Sequence, residues 1–254
     1  MKYYQSLAPM GVFSLSQAVE TIGNEYNTKK ALSKMILNKQ VRRVKKNLYS
    51  VIDPITGEDY MSRFVIASHI TEDSFVGLHS AFEFYGFYNQ SYSEVHVLSL
   101  NRFLDFQYRD YLYRFFSSNS LTQIDIIQGV RVSSIERTIV DSINHLGKTM
   151  DEEELVKCLS LVHRVNEEKI KEMLLEYDKD ILYRKVGYVL SFFKDDISLT
   201  DDFFTFCKNK ANILNYGYLS YGDNKHNLEF IKEWGIYAYK DLMKLSEKGG
   251  DVDV

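Results

Sequence analysis

Between Ser14 and Val51 the chain passes from helical spacing to an alternating β-branched run, with a stop or start signal at each change. Ser14-Leu15-Ser16-Gln17 has capping-box spacing: Ser14 can close the first turn while Gln17 reaches back to it. Gly23 suits the end of that helix, since glycine takes the left-handed stop conformation at no Cβ cost. Asn27 or Thr28 then predicts the cap of a second helix extending to about Lys39. On it Thr28, Leu32, Met35, Ile36 and the stem of Lys39 share one face, the one expected to be buried. Asn27, Lys30, Ser33, Lys34 and Leu37 share the opposite face, with Lys29 on its flank. The run Val41–Val51 follows as a predicted hairpin with its tip at Lys45-Lys46-Asn47, where asparagine tolerates the positive φ of a tight turn. Helix, helix and basic hairpin is the order of a winged helix-turn-helix.

The charge distribution names a partner for this segment. Residues 1–50 hold nine Lys or Arg against two acids, whereas the remainder holds 22 basic and 33 acidic residues. Eight of the basic residues lie between Asn27 and Lys46, a stretch with no acid. Such asymmetry points to an anionic partner for the N-terminal segment. The expected partner is double-stranded DNA. The second helix would enter the major groove through Asn27, Lys29, Lys30, Ser33 and Lys34, and the hairpin's Arg42, Arg43, Lys45 and Lys46 would hold phosphates.

Asp53-Pro54-Ile55-Thr56-Gly57-Glu58-Asp59 concentrates turn formers and marks the expected domain boundary. The predicted organisation is a winged helix over 1–55, an effector domain over 59–246 and an acidic tail over 247–254. The fold class is α+β: the winged helix precedes a mixed α/β domain with a helical C-terminal part. Residues 64–68, 94–98 and 124–127 read as strands, and 74–84 and 133–145 as helices. From Glu152 onward the pattern is mainly helical, with Leu155, Leu159 and Val162 on one stripe and Ile170, Met173 and Leu174 on another. Tyr183, Tyr188, Phe192, Phe193, Phe203, Phe204 and Phe206 read as core. Cys158 and Cys207 lack the spacing of a zinc site and read as small core residues. The N-terminus lacks a secretory pattern and no apolar run is long enough to span a bilayer, so the expected location is the cytoplasm.

No HExxH, Walker loop, GxSxG or GxGxxG is present, so no catalytic residue, metal or cofactor is predicted. His79 and Glu83 lie four apart on one helix face and offer two metal ligands without an identifiable third. Arg137 and Asp141 have the same spacing and read as a structural ion pair. Asp251-Val252-Asp253 imitates a nucleotidyltransferase DxD but lacks the Gly-Ser loop that should precede it.

Three later segments carry a family resemblance. Ala67-Ser68-His69-Ile70 with Gly77-Leu78-His79-Ser80-Ala81-Phe82-Glu83-Phe84-Tyr85-Gly86 is similar to the segment that follows the winged helix in AbiEi-type antitoxins. So are Gly129-Val130-Arg131-Val132-Ser133-Ser134-Ile135-Glu136-Arg137-Thr138-Ile139-Val140-Asp141 and Tyr183-Arg184-Lys185-Val186-Gly187-Tyr188-Val189-Leu190. The resemblance runs from about residue 10 to 240. Where the family's hairpin has a glycine before the Leu-Tyr pair, this chain has Asn47. The resemblance implies an autorepressor that binds inverted repeats in its own promoter. It also implies a C-terminal domain counteracting an AbiEii-type nucleotidyltransferase toxin without a stable complex, with His79, Glu83, Arg131, Glu136, Arg137, Thr138 and Asp141 as that domain's motif residues. The alternative is a ligand-responsive winged-helix transcription factor with no toxin. A nucleic-acid-processing enzyme is disfavoured by the lack of a clustered acidic or histidine constellation.

Overall fold

The computed structural model describes residues 2–211, 215–221 and 227–247 and shows a mixed α+β protein. It divides into two compact units, the first made of residues up to 76 with 93–132, the second of 77–92 with 133 onward.

The first unit opens with α1 (Lys2–Leu7) and β1 (Val12–Ser14), followed by α2 (Leu15–Ile22), α3 (Glu25–Leu37), β2 (Val41–Lys45) and β3 (Leu48–Val51). Ser14 and Gln17 form the expected capping box: the Ser14 hydroxyl accepts from the Gln17 N–H at 3.2 Å and Gln17 Oε1 accepts from the Ser14 N–H at 2.8 Å. Gly23 ends α2 at φ 92°. The cap of the second helix lies three residues before Asn27, because Asn24 supplies it, accepting from the Asn27 N–H at 3.1 Å. Thr28 is then an interior residue whose hydroxyl donates to the Asn24 carbonyl. β1 and β2 both pair antiparallel with β3, and Asn47 takes φ 66° at the hairpin tip. Leu7, Phe13, Ala18, Leu32, Met35, Val41, Tyr49 and Val51 form the local core. Ile36 was expected on the buried face of α3 but is 40% exposed, and Lys39 is exposed as well. The helix buries the narrower stripe Thr28, Leu32 and Met35.

The same unit carries a six-stranded mixed sheet: β4 (Phe75–Val76), β5 (Glu94–Ser99), β6 (Phe106–Tyr108), β7 (Tyr111–Ser117), β8 (Ile124–Ile127) and β9 (Val130–Ser133), in the order β6-β7-β5-β4-β9-β8. Residues 64–68, expected as a strand, belong instead to α4 (Arg63–Ser68). Ser62 caps it by accepting from the Val65 N–H, so tertiary context overrides the β-branched Val65 and Ile66. The helix expected over 74–84 begins only at Leu78, since Phe75 and Val76 are sheet residues. Asp73 fixes the turn after β5, accepting from the Asn101 N–H at 3.1 Å and from the Leu100 N–H at 2.5 Å.

The expected boundary at 53–60 is not where the chain divides. Ile52 bridges Asp59, Arg42 pairs with Asp59 at 3.4 Å, and the Tyr108 hydroxyl donates to Asp59 at 2.6 Å. Pro54 and Gly57 therefore build a turn inside the first unit. The expected division into 1–55 and 59–246 gives way to one that interleaves along the sequence.

The second unit contains α5 (Leu78–Tyr85), α6 (Ile135–Asn144), α7 (Glu152–Ser160), α8 (Glu167–Tyr177), α9 (Asp180–Ser191), α10 (Asp201–Lys210) and α11 (Met243–Glu247). It also holds a small sheet absent from the helical expectation: β10 (Gly217–Tyr218), β11 (Glu229–Ile231) and β12 (Ile236–Ala238). Both predicted leucine-rich stripes, Cys158, Cys207 and the expected aromatics lie in or against one core. Inside it Arg137 pairs with Asp141 at 3.2 Å, and the Tyr177 hydroxyl donates to the same carboxylate. Of the expected acidic tail, 248–254 lies outside the described residues. No helix among the described residues is long and apolar enough to cross a membrane.

Two stability predictions follow from these contacts. A Cβ at Gly187 would fall 2.2 Å from the Trp234 ring, so Gly187→Ala should cost about 1–3 kcal/mol through overpacking, read as a lower urea midpoint. Hydrogen bonds to Asp73 hold its carboxyl down at about 2 against partial burial. Its folded value lies below the unfolded one, so its contribution is present above about pH 4 and is lost as pH falls towards 2. Asp73→Asn should flatten the acid limb of stability over that window.

Candidate nucleic-acid interface

The exposed face of α3 carries Asn27, Lys30, Ser33, Lys34 and Leu37, as its spacing predicts, and Leu37 is 81% exposed. Tyr26, also exposed, lies on the same side. Along one flank a groove of about 670 Å³ runs between α3 and α1, lined by Tyr3, Tyr4, Asn27, Lys30, Lys34 and Asn38. The Ser33 hydroxyl donates back to the Lys29 carbonyl at 2.9 Å.

The structure sorts the predicted cations into two kinds. Lys29 pairs with Glu25 at 2.5 Å, one turn back on α3. Arg42 is tied to Asp59 and to the Gly57 carbonyl. Lys45 lies over the rings of Phe103 and Phe106, 5.0 and 5.6 Å from their centres, and loss of hydration pushes its ammonium down from the usual lysine range. Lys30, Lys34, Arg43 and Lys46 are exposed and have no ion-pair partner among the described residues. Lys39, not among the predicted contacts, is exposed too. Lys30, Lys34 and Lys46 can neutralise an external anion without first breaking a contact, while Arg43 already donates from Nε to the Lys45 carbonyl at 3.3 Å. Sequence spacing does not separate the two kinds, because the partners of Arg42 and Lys45 come from later segments.

The motif residues of the family resemblance have internal partners. Arg131, in the first unit, donates to the carbonyls of Ser68, Thr71 and Glu72, closing the turn after α4. The other six lie in the second unit. Glu136 accepts from the Asn166 N–H at 2.8 Å, Thr138 donates to the Ser134 carbonyl at 2.8 Å, and Arg137 and Asp141 form the buried pair.

His79, without Glu83, gains further ligand types that the sequence did not identify. His79, Glu154 and Cys158 place ligand atoms within 4.8 Å of one another, all buried. Glu154 Oε1 lies 3.0 Å from His79 Nε2 and accepts from the backbone of Asn89 and Gln90, while Tyr92 stacks on the His79 ring at 3.8 Å. Glu83 accepts from the Tyr92 N–H at 2.6 Å. Burial and the neighbouring Glu154 carboxylate push the Cys158 thiol well above its usual range, against the thiolate a metal requires. The arrangement fits a polar clamp on the loop 89–92 better than a metal centre. The signal for it was Glu154 on the apolar stripe of α7, visible only once its partners are placed.

No family model matches this chain and no curated protein matches it. Among solved structures it is similar to the RV2827C protein from Mycobacterium tuberculosis, with a TM-score of 0.69 at 12% identity, covering 98% of this chain and 93% of that one. At that identity the likeness shows a shared fold.

Glu154→Ala should remove the Nε2 partner of the buried His79 ring, free the Asn89 and Gln90 amides, and cost about 3–5 kcal/mol, read as a fall in the denaturation midpoint. Glu154→Gln, which keeps an acceptor oxygen, should cost clearly less. Equal losses in the two variants would show that the clamp's hydrogen bonds are not what holds the loop.

Proposed function

We propose that this chain is a DNA-binding autorepressor and antitoxin of the AbiEi type, with a winged helix-turn-helix formed by its first fifty-odd residues. The observation that carries the DNA-binding reading is the order α1-β1-α2-α3-β2-β3, with a three-stranded antiparallel sheet and an α3 whose exposed face is cationic and polar. In that arrangement α3 enters the major groove, where Lys30 and Lys34 reach phosphates or guanine edges and the exposed Leu37 meets thymine methyls. Arg43 and Lys46 hold the adjacent backbone, and Lys45 positions the hairpin on Phe103 and Phe106. The antitoxin role rests on the resemblance of the three later segments to the family. On this reading the second unit counters a nucleotidyltransferase-like toxin, and the protein itself performs no catalytic step.

A gel-shift titration on the chain's own promoter tests the DNA reading. With four unpaired cations engaged, log K against log salt should have a slope of about −3 to −4 per protomer. Lys30→Glu with Lys34→Glu should abolish binding while leaving the unfolding midpoint unchanged. Lys46→Met should make the slope shallower by roughly 1, whereas Lys45→Met should change it little. If the Lys30/Lys34 double variant binds normally, α3 is not the reading helix. Co-expression with the adjacent toxin separates the second role: the non-binding variant should still rescue growth if neutralisation does not pass through the promoter.

A further inference from the structure

The second unit holds two lysines whose surroundings neither the winged helix nor the loop clamp explains. Lys185, on α9, has a stem so enclosed that the residue is 5% exposed, and its ammonium lies 4.8 Å from the centre of the Tyr221 ring. The ammonium of Lys148 lies 3.9 Å from the centre of the same ring. Among the described residues neither side chain has a hydrogen-bond or ion-pair partner; the acid that acts on Lys185 is Glu152, from beyond ion-pair distance. Glu152 itself accepts from the Ser220 hydroxyl.

The ring is held in place from below. The Tyr221 N–H donates to the Leu146 carbonyl at 2.9 Å, and Gly147 approaches so closely that a Cβ there would fall 1.8 Å from the Tyr221 carbonyl oxygen. Gly147 takes φ 84°, so both its backbone and its missing side chain are required at this contact. The consequence is that Lys148, the next residue, is fixed against the ring.

We propose that Lys148 and Lys185, set on Tyr221, form a binding site for a phosphate-class oxyanion. Each ammonium offers donors that no described residue uses, and two like charges held against one ring repel until an anion joins them. Ring faces attract cations but donate nothing and carry no net charge, so Tyr221 positions the ammonium groups without neutralising them. A phosphate, with a charge near −2 around neutral pH and several acceptor oxygens, supplies what both lysines lack. A carboxylate supplies one charge where two are needed. Burial and Lys148 together bring the Lys185 amine down to about 8, so a fraction is unprotonated and reactive near neutral pH, and a bound anion would restore its proton. The site lies outside the DNA-contacting residues and does not depend on that assignment. Inorganic phosphate and the phosphate tail of a nucleotide share this chemistry.

The test uses the full-length chain, with acetic anhydride as amine label and mass spectrometry to read each lysine. In phosphate, compared with chloride of equal ionic strength, acetylation of Lys185 should slow about tenfold once phosphate reaches roughly ten times its dissociation constant. Labelling of the exposed Lys210 should not change. Lys148→Gln should weaken the protection, and Lys185→Met, which replaces a buried charge by an apolar chain of similar shape, should fold yet lose the rise in Tm that phosphate gives the parent protein. Protection by ATP at much lower concentration than by inorganic phosphate would assign the site to a nucleotide tail, and equal protection would assign it to free phosphate. Identical Lys185 labelling in phosphate, ATP and chloride overturns the proposal, as does a phosphate-induced Tm rise that survives Lys185→Met undiminished.

Discussion

A full positive charge sealed inside the second unit organises much of what surrounds it. Arg137 is 1% exposed and Asp141 is fully buried, so neither can fall back on water if the other is removed. The pair sits on α6, and Tyr177, at the end of α8, donates to the same carboxylate. A buried ion pair adds little net stability over an apolar replacement, but its geometry admits few alternatives. Helix α8 must therefore present Tyr177 at one place on α6. The neighbouring Glu136 ties the start of α8 to the same helix through the Asn166 N–H, so both ends of α8 are set by polar contacts.

The basic segment shows how net charge misleads when counted along the sequence. Eight cations in twenty residues read as one patch, yet three of the predicted contacts are held within the protein: Lys29 by Glu25, Arg42 by Asp59 and Lys45 by two phenylalanine rings. What remains is a sparser and better defined set. Arg42 and Lys45 fix the hairpin, and the cations without an ion-pair partner among the described residues give the surface its charge.

Local signals were legible and distant ones were not. Ser14, Gln17, Gly23 and Asn47 act within a few residues of themselves, and the structure uses each as its spacing predicts. Asn24 does not stand out in the sequence because Asn27 and Thr28 satisfy the same local rule one turn later. Residues 64–68 folded as a helix because Ser62 caps them. The 53–60 turn resembled a linker because Pro54 and Gly57 bend a chain identically inside a domain and between domains. Contacts from far along the sequence, such as that of Tyr108 with Asp59, show which it is. The polar clamp was half legible: His79 and Glu83 share a helix face, but Glu154 lies 75 residues from His79.

That separation bears on the order in which the chain can become structured during synthesis. The second unit begins at residue 77 but resumes only at 133, so α5 leaves the ribosome well before α6 and α7 exist to cover it. Until then Phe82, wholly buried in the finished protein, has no core to enter, and His79 and Glu83 lie beside a loop that nothing clamps. The first unit, by contrast, is complete in sequence by residue 132. Loop closure over such distances is slow relative to helix formation. The nascent chain thus carries an uncovered apolar segment through the middle of its synthesis.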